Sequence, residues 1–259
     1  MKGLRLITEK QLEALVEERL REASREANRG YERDILMKQA NIMSLQSQIN
    51  PHFLYNALEC IRGQALIDGS EAVADMTHAL SHFFRYSISS KSNVVTLANE
   101  LENVRNYITI QKHRFRDRFV IAYEMDDPEL NNALLPKLTL QPIVENAIIH
   151  GFSDIVSGGE ITVRVERLDG NVSVKVSDNG KGMPAEVLER LNSAFRKDHM
   201  SVSELQHGYD KGTGVGMANV DRRIKLYFGV DYGLTINSCA GVGTDVEVFF
   251  PYTLTVAQS

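Results

Sequence analysis

The hydrophobic spacing of this chain changes character near Arg118, and that change bounds the fold. Before it, apolar residues recur at steps of three or four, the period of an amphipathic helix. After it, short stretches alternate apolar and polar, the period of a half-buried strand. The 259 residues therefore predict a helical first part and a mixed strand-and-helix second part, long enough to bury a real core.

In the first part, Leu12, Val16, Leu20, Ala23, Ala27, Tyr31 and Ile35 keep helical spacing through a stretch dense in Glu, Arg, Lys and Ala. The stripe is narrow enough for a coiled-coil seam. Its alanines and Gly30 weaken it, and a solvated helix packed on its own domain is the alternative. No globular core precedes it, so a coiled coil is the expectation. The series continues as Ile42, Leu45, Ile49, Phe53, Ala57 and Cys60, straight through Ile49-Asn50-Pro51-His52-Phe53-Leu54-Tyr55-Asn56. A proline inside a helix costs roughly 3 kcal/mol and biases the preceding Asn50 away from helical angles. Asn50 as N-cap and Pro51 as first helical residue would instead start a helix. The unbroken apolar series favours one long kinked helix reaching about Leu66. In either case His52 and Asn56 share a face. A costly backbone feature beside an imidazole points to a site.

Asp68-Gly69-Ser70 then reads as a turn, followed by a second helix to about Ser87 and a loop from Ser89 to Val95. Thr96, with Asn99-Glu100 after it, opens a third helix carrying Leu101, Val104, Tyr107, Ile108 and Gln111. Helices joined by short polar turns predict a bundle. In the second part, Phe119 to Met125, Ile161 to Arg167, Val172 to Ser177, Leu234 to Ser238 and Thr244 to Phe250 read as strands. Leu168-Asp-Gly-Asn171 reads as a hairpin turn. Pro136 to His150, Pro184 to Phe195 and Gly214 to Phe228 read as helices. Lys197 to Lys211 is a long polar loop, of the kind that is usually functional or disordered.

Charge and cysteines narrow the function. Lys plus Arg number 29 against 34 Asp plus Glu, a net charge of -5, which argues against a nucleic-acid surface. Cys60 and Cys239 lie far apart and in no metal spacing, as expected of a reducing compartment. No apolar run approaches the roughly 18 residues that would span a bilayer, and Met1 to Lys10 lacks a signal-peptide core. A soluble chain of a reducing compartment, compatible with the inner part of a membrane protein, is expected. His78 and His82 stand one turn apart and read as surface histidines. His150, before Gly151, reads as a cation at a helix C-terminus.

Three motifs in the second part bear chemistry. Gln141-Pro-Ile-Val-Glu-Asn-Ala-Ile-Ile-His-Gly151 sets Asn146, a neutral oxygen donor suited to a hard cation on phosphates, on a helix. A satisfied core amide would look the same. Val176-Ser-Asp-Asn-Gly-Lys-Gly-Met183 follows a strand. There the carboxylate of Asp178 can accept from an exocyclic amine, and Gly180 and Gly182 let backbone approach a flat ring, although Asp-Asn-Gly is also a common turn. Lys211-Gly-Thr-Gly-Val-Gly-Met217 opens a helix whose free N–H groups and dipole suit phosphate. It is not a Walker loop, and it matches the dinucleotide fingerprint only loosely.

In this order, with Gly241-Val-Gly-Thr244 before the last strand, the second part resembles the ATP-binding domain of the GHKL superfamily of gyrase, Hsp90, MutL and histidine kinases. Leu45-Gln-Ser-Gln-Ile-Asn-Pro-His-Phe-Leu-Tyr-Asn56, Leu140-Gln-Pro-Ile-Val-Glu-Asn-Ala147 and Gly212-Thr-Gly-Val-Gly-Met-Ala-Asn219 together resemble the LytS/YesM-like class of bacterial sensor histidine kinases. The resemblance implies a signalling coiled coil over residues 1–44, a helical-hairpin dimerisation and phosphoacceptor domain over 45–116, and a GHKL (Bergerat) α/β sandwich over 117–259. It implies ATP with Mg²⁺, a homodimer, a response-regulator receiver domain as partner, and membrane attachment only through a sensor region outside this chain.

By the same resemblance His52 would be the phosphoacceptor, Asn146 would hold Mg²⁺, and Asp178 would read the adenine amine with Thr244 beside it. Gly180, Gly182, Gly212, Gly214 and Gly216 would shape the pocket and phosphate cradle. Ala194 to Gly212 would be the ATP lid. Many histidine kinases place an acid directly after the phosphoacceptor; here that residue is Phe53. Glu145, about 100° round its helix from Asn146, is a candidate general base. Asn56 stands where relatives align water for dephosphorylating the receiver. A scaffold or phosphatase without autokinase activity is the alternative. A gyrase-type clamp expects Glu one turn before the metal-binding Asn, where this chain has Pro142.

Overall fold

In the computed structural model, residues 51–88, 92–115, 118–196 and 213–254 are described. The chain divides into two compact units, Met1–Leu54 and Tyr55–Ser259. Of the first, only residues 51–54 are described. The predicted coiled coil, the passage of the helix through Asn50, most of the expected lid and Gly212 lie outside the described residues.

Helix α1 (Pro51–Ile67) and helix α2 (Glu71–Ile88) form a hairpin. Gly69, at φ 69°, ends α1: Ser70 N–H reaches Ala65 O at 2.8 Å and Gly69 N–H reaches Leu66 O at 3.2 Å. That pair of bonds is a Schellman cap, which needs a left-handed residue where glycine stands. Small side chains, Ala74, Thr77, Ala79 and Ser81, fill the buried face of α2. Helix α3 (Leu97–Phe115) starts where expected, its first turn capped by the Thr96 hydroxyl accepting from Asn99 N–H at 3.3 Å. The apolar positions predicted for it are all buried.

A five-stranded sheet carries the second part. Its strands are β2 (Phe119–Met125), β4 (Gly159–Leu168), β5 (Asn171–Asp178), β6 (Gly233–Cys239) and β7 (Gly243–Pro251), in the order β2-β4-β5-β7-β6. Only β2 and β4 run parallel; every other pair is antiparallel. The predicted hairpin joins β4 to β5, with Asp169 and Gly170 both at positive φ, as a two-residue type I′ turn demands. Alternation divides the faces. Ile161, Val163, Val165, Val172, Val174, Val176, Val246, Val248 and Phe250 are buried against the helices. The other face carries polar pairs such as Arg164 with Glu124 at 2.7 Å and Lys175 with Asp245 at 2.6 Å. Helices α5 (Ala185–Arg196) and α6 (Thr213–Phe228) and the short helix α4 (Gln141–Asn146) cover the apolar face.

Two expectations are corrected. Val94–Thr96, expected at the end of a loop and the start of a helix, is a short strand, β1. It pairs antiparallel with Leu134–Pro136, β3. The helix expected from Pro136 begins only at Gln141, because Pro136 is spent in β3 and Leu138 adopts φ 61°. Pro142 in the first helical turn suits that later start. The same helix ends as a single π turn, Ala147–Gly151. Among the described residues, no helix is long and apolar enough to cross a membrane.

Candidate functional site

Asp178 ends β5, the central strand, and its neighbours are fixed by the sheet register. It pairs with Thr244 on β7 on one side and with Ile161 on β4 on the other. Beyond it the chain turns through Asn179, Gly180, Lys181 and Gly182. Asn179 Oδ1 accepts from Glu160 N–H at 2.7 Å and its amide donates to Gly158 O at 3.0 Å, so it fastens the turn to β4. Gly180 N–H donates to Asp178 Oδ1 at 2.8 Å. A Cβ on Gly180 would fall 2.6 Å from that same oxygen and from Gly151 Cα, so only glycine fits. Gly182, at φ 62°, lies against the Cys239 carbonyl, where a side chain would collide. Ser238 completes the frame: its hydroxyl donates to Gly243 O at 2.8 Å, accepts from Met183 N–H at 2.9 Å and lies 3.0 Å from Thr244 Oγ1.

These elements enclose a cavity of about 540 Å³. Val176, Asp178, Thr244 and Val246 form its floor from β5 and β7. Ile143, Asn146, Ala147, His150 and Gly151 wall it from α4 and the π turn. Met183, Val187, Arg190, Leu191 and Met217 close it from the α5 and α6 side, with Lys181 and Gly182 at the loop. Mostly apolar walls around few polar groups are what a drug-sized or nucleoside-sized ligand requires. Burial pushes Asp178 up to about 6, opposed by the backbone donors of Gly180 and Thr244. A half-buried carboxylate facing an apolar slot gains a partner when an amine donor enters.

The structure brings Asn146, Asp178, Gly182 and Thr244 to one cavity, with Gly180 packed directly beneath Asp178. Gly214 and Gly216 stand in the opening turns of α6, and Met217 after them reaches the cavity. Glu145 does not line it. Its influence on the Tyr107 hydroxyl puts it toward α3, and burial raises its pKa. His52 and Asn56 are both exposed on α1.

His150 corrects an expectation. It lines the cavity, and burial, with the nearby Lys181, lowers its pKa. It is biased toward the neutral ring rather than held as a helix-end cation. His78 and His82 sit with ring centroids 4.4 Å apart. Burial, then the neighbouring His78, depresses the His82 pKa. Among the described residues no cluster of three His, Cys, Asp or Glu side chains could hold a metal. The cavity residues Lys181 and Arg190 were missed from sequence. Lys181 lay inside a quoted motif, but Arg190 carried no local signal.

A mixed sheet covered by helices on one face, with an Asp-x-Gly-x-Gly turn, an asparagine helix and a glycine-opened helix around one cavity, defines a GHKL-type ATP-binding domain. Residues 131–254 match the family model of histidine kinase-, DNA gyrase B- and HSP90-like ATPases, and residues 40–119 match that of histidine kinases. The chain is 36% identical to the sensor histidine kinase YesM of Bacillus subtilis over 85% of its own length, and 34% identical to the sensor protein LytS of Staphylococcus saprophyticus over 84%. The matches span 35% and 34% of those relatives, about a third of their length. A solved histidine kinase domain from Erythrobacter litoralis EL346 is similar, with TM-score 0.43 and 18% identity over 81% of this chain and 90% of that one. The chain belongs to the sensor histidine kinase family.

Proposed function

We propose that this chain autophosphorylates His52 from ATP and passes the phosphoryl group to an aspartate on a response-regulator receiver domain. The observation that carries the reading is the cavity where the Asp178 carboxylate, the Asn146 amide and Thr244 converge, in a chain that also presents His52 exposed on a helix. The volume and the apolar walls suit a purine, and the glycines around Asp178 let the turn pack closely enough to hold its carboxylate in place. Asn146, which lines the cavity, offers a hard oxygen donor that would take one position on Mg²⁺, with phosphate oxygens and waters supplying the others.

In this reading the phosphorus–oxygen bond to the terminal phosphoryl group of ATP breaks, ADP leaves, and a nitrogen–phosphorus bond forms on the His52 ring. Asp178 fixes the base, while Lys181 and Arg190 put positive charge in the cavity. Asn146 would hold Mg²⁺, whose charge would offset that of the phosphate oxygens. The free N–H groups at the start of α6, after Gly214 and Gly216, offer the phosphates further donors. Glu145 does not line the cavity, so as the proposed acceptor of the ring proton it would act from outside it, its proton affinity raised by burial. The segments 1–44, 45–116 and 117–259 would serve as signalling helix, dimerisation and phosphoacceptor domain, and catalytic domain of a cytoplasmic homodimer. It would be joined to the membrane through a sensor region elsewhere in the protein.

The test is incubation with γ-labelled ATP and Mg²⁺. The expected result is an acid-labile label on the wild-type chain and none on His52→Gln. Tight ATP binding with no label at all would overturn the kinase reading in favour of a nucleotide-gated scaffold.

A further inference from the structure

Helix α4, which carries Asn146, has no cap of its own. Its N-cap residue is Leu140, whose side chain accepts nothing. The acceptor comes from helix α3. Glu100 is fully buried; its Oε1 accepts from Leu138 N–H at 2.6 Å and its Oε2 from Leu140 N–H at 2.8 Å. The Tyr86 hydroxyl, on helix α2, donates to the same Oε1. Lys137 lies 5.0 Å over the Tyr86 ring.

Leu138 sits inside this node at φ 61°, a conformation that costs a leucine roughly 1–2 kcal/mol. It is held from both ends. Glu100 takes its N–H, and Arg223 Nη2, from helix α6, donates to its carbonyl at 2.7 Å. One turn further along α3, Asn103 donates to Gln141 Oε1 at 2.9 Å. Four elements thus meet at one carboxylate: α2, α3, the start of α4 and, through Leu138, α6. Burying such a group is costly unless its partners are complete.

We propose that Glu100 is a positioning residue for the nucleotide site. It caps the Asn146 helix from a distance, and through Tyr86 it ties the stance of that helix, relative to the sheet-borne Asp178, to helix α2 of the hairpin. The proposal rests on the reading that the cavity takes ATP with Mg²⁺. Glu100 does not line the cavity and acts only through α4 and Leu138.

The two ends of the site allow a clean test. Adenosine engages the Asp178 end alone, whereas magnesium-bound ATP also needs Asn146. Calorimetry would measure adenosine, ATP and ATP with Mg²⁺ on wild type, Glu100→Gln and Tyr86→Phe. Deuterium exchange would follow residues 138–146. Tyr86→Phe keeps the ring under Lys137 and removes only the hydroxyl, so it guards against a Glu100 variant that fails to fold. The expected result in both variants is adenosine affinity within about twofold of wild type. The gain in ATP affinity from Mg²⁺ should fall roughly fivefold or more, the worth of about one hydrogen bond, with faster exchange in α4. Variants that keep the full magnesium gain and wild-type exchange would overturn the proposal. So would equal losses for adenosine and ATP, which mark a merely structural role, and so would a wild-type chain with no magnesium gain. A wild type that shows the gain but never labels His52 counts against the kinase reading and leaves this one standing.

Discussion

At the scale of single residues, Asp178 gives the sharpest prediction. Its folded pKa, near 6, lies above the ordinary carboxylate value. The folded state therefore binds that proton more readily than the unfolded chain does, and stability is lost as pH rises from about 4 to 6. Asp178→Asn should melt a few degrees higher than wild type at pH 8, with the gap closing below about pH 4. The ionised form is the one that accepts from an amine. Adenosine affinity should therefore hold from pH 8 down to about 6 and then fall, by up to roughly tenfold per pH unit. Thermal melts and calorimetry across that range check both halves; a flat affinity profile would show that Asp178 does not hold the base.

Two glycines make a matched pair at the same scale. A methyl on Gly180 would sit 2.6 Å from Asp178 Oδ1, whereas one on Gly216 would meet only Pro142 Cβ, at 4.0 Å. Gly180→Ala should cost about 1–3 kcal/mol by overpacking and disorder the carboxylate. Gly216→Ala, in a helix with room, should stabilise by roughly 0.5–1 kcal/mol while weakening ATP binding, if its backbone faces phosphate. Urea denaturation read beside ATP affinity separates the two outcomes. Stability and affinity moving together at Gly216 would argue against the cradle role.

At the scale of elements, helix α6 is bound to its surroundings by one buried acid. Asp221 accepts from Leu234 N–H at 2.9 Å and pairs with Lys225 at 2.8 Å, and Lys225 in turn donates to the Phe195 carbonyl at the end of α5. Gly233, at φ 145°, leaves the space that Asp221 occupies. Removing the carboxylate in Asp221→Ala strands Lys225 and the Leu234 N–H, at a cost of about 3 kcal/mol, measurable as a lower urea midpoint at unchanged slope. A shift below about 0.5 kcal/mol, the range of ordinary surface changes, would mean that the Asp221 contacts add little to the seating of α6.

Sequence made these elements legible to the degree that each was local. Helix α3, strand β2 and the Asp169-Gly170 hairpin depend on neighbours a few positions away, and they stand where spacing and turn chemistry set them. Asn146, Asp178 and Thr244 were legible through the order of their motifs along the chain, and the fold brings all three to one cavity. The late start of α4 was not legible. It depends on Leu138 holding a left-handed backbone through a carboxylate 38 positions earlier and a guanidinium 85 positions later. A propensity argument sees an apolar leucine and extends the helix through it. His150 misled for a similar reason: its place at a helix end was visible, but the cavity wall that favours its neutral form was not.

At the scale of the whole molecule, the hairpin leaves apolar surface uncovered: Ile61 is 51% exposed, Leu66 54% and Ile67 80%. At about 100° per residue they point to different sides of α1, so each is tested singly as a contact of the homodimer proposed above. Ile61→Glu and Ile67→Glu should lower the dimer fraction in sedimentation by a large factor. Adenosine binding should stay unchanged, because the cavity is built by α4, α5, α6 and the sheet. Equal sedimentation of wild type and variants would place the contact elsewhere.

The sheet order has a last consequence. Strand β5, with Asp178 at its end, is the middle of five, so fraying from one edge must strip β2 and β4, or from the other β6 and β7, before the central ladder is bare. The strand that carries the purine ledge is thus the last of the sheet to lose its neighbours on both sides. As the chain is warmed or pulled, grip on the base should outlast grip on the phosphates.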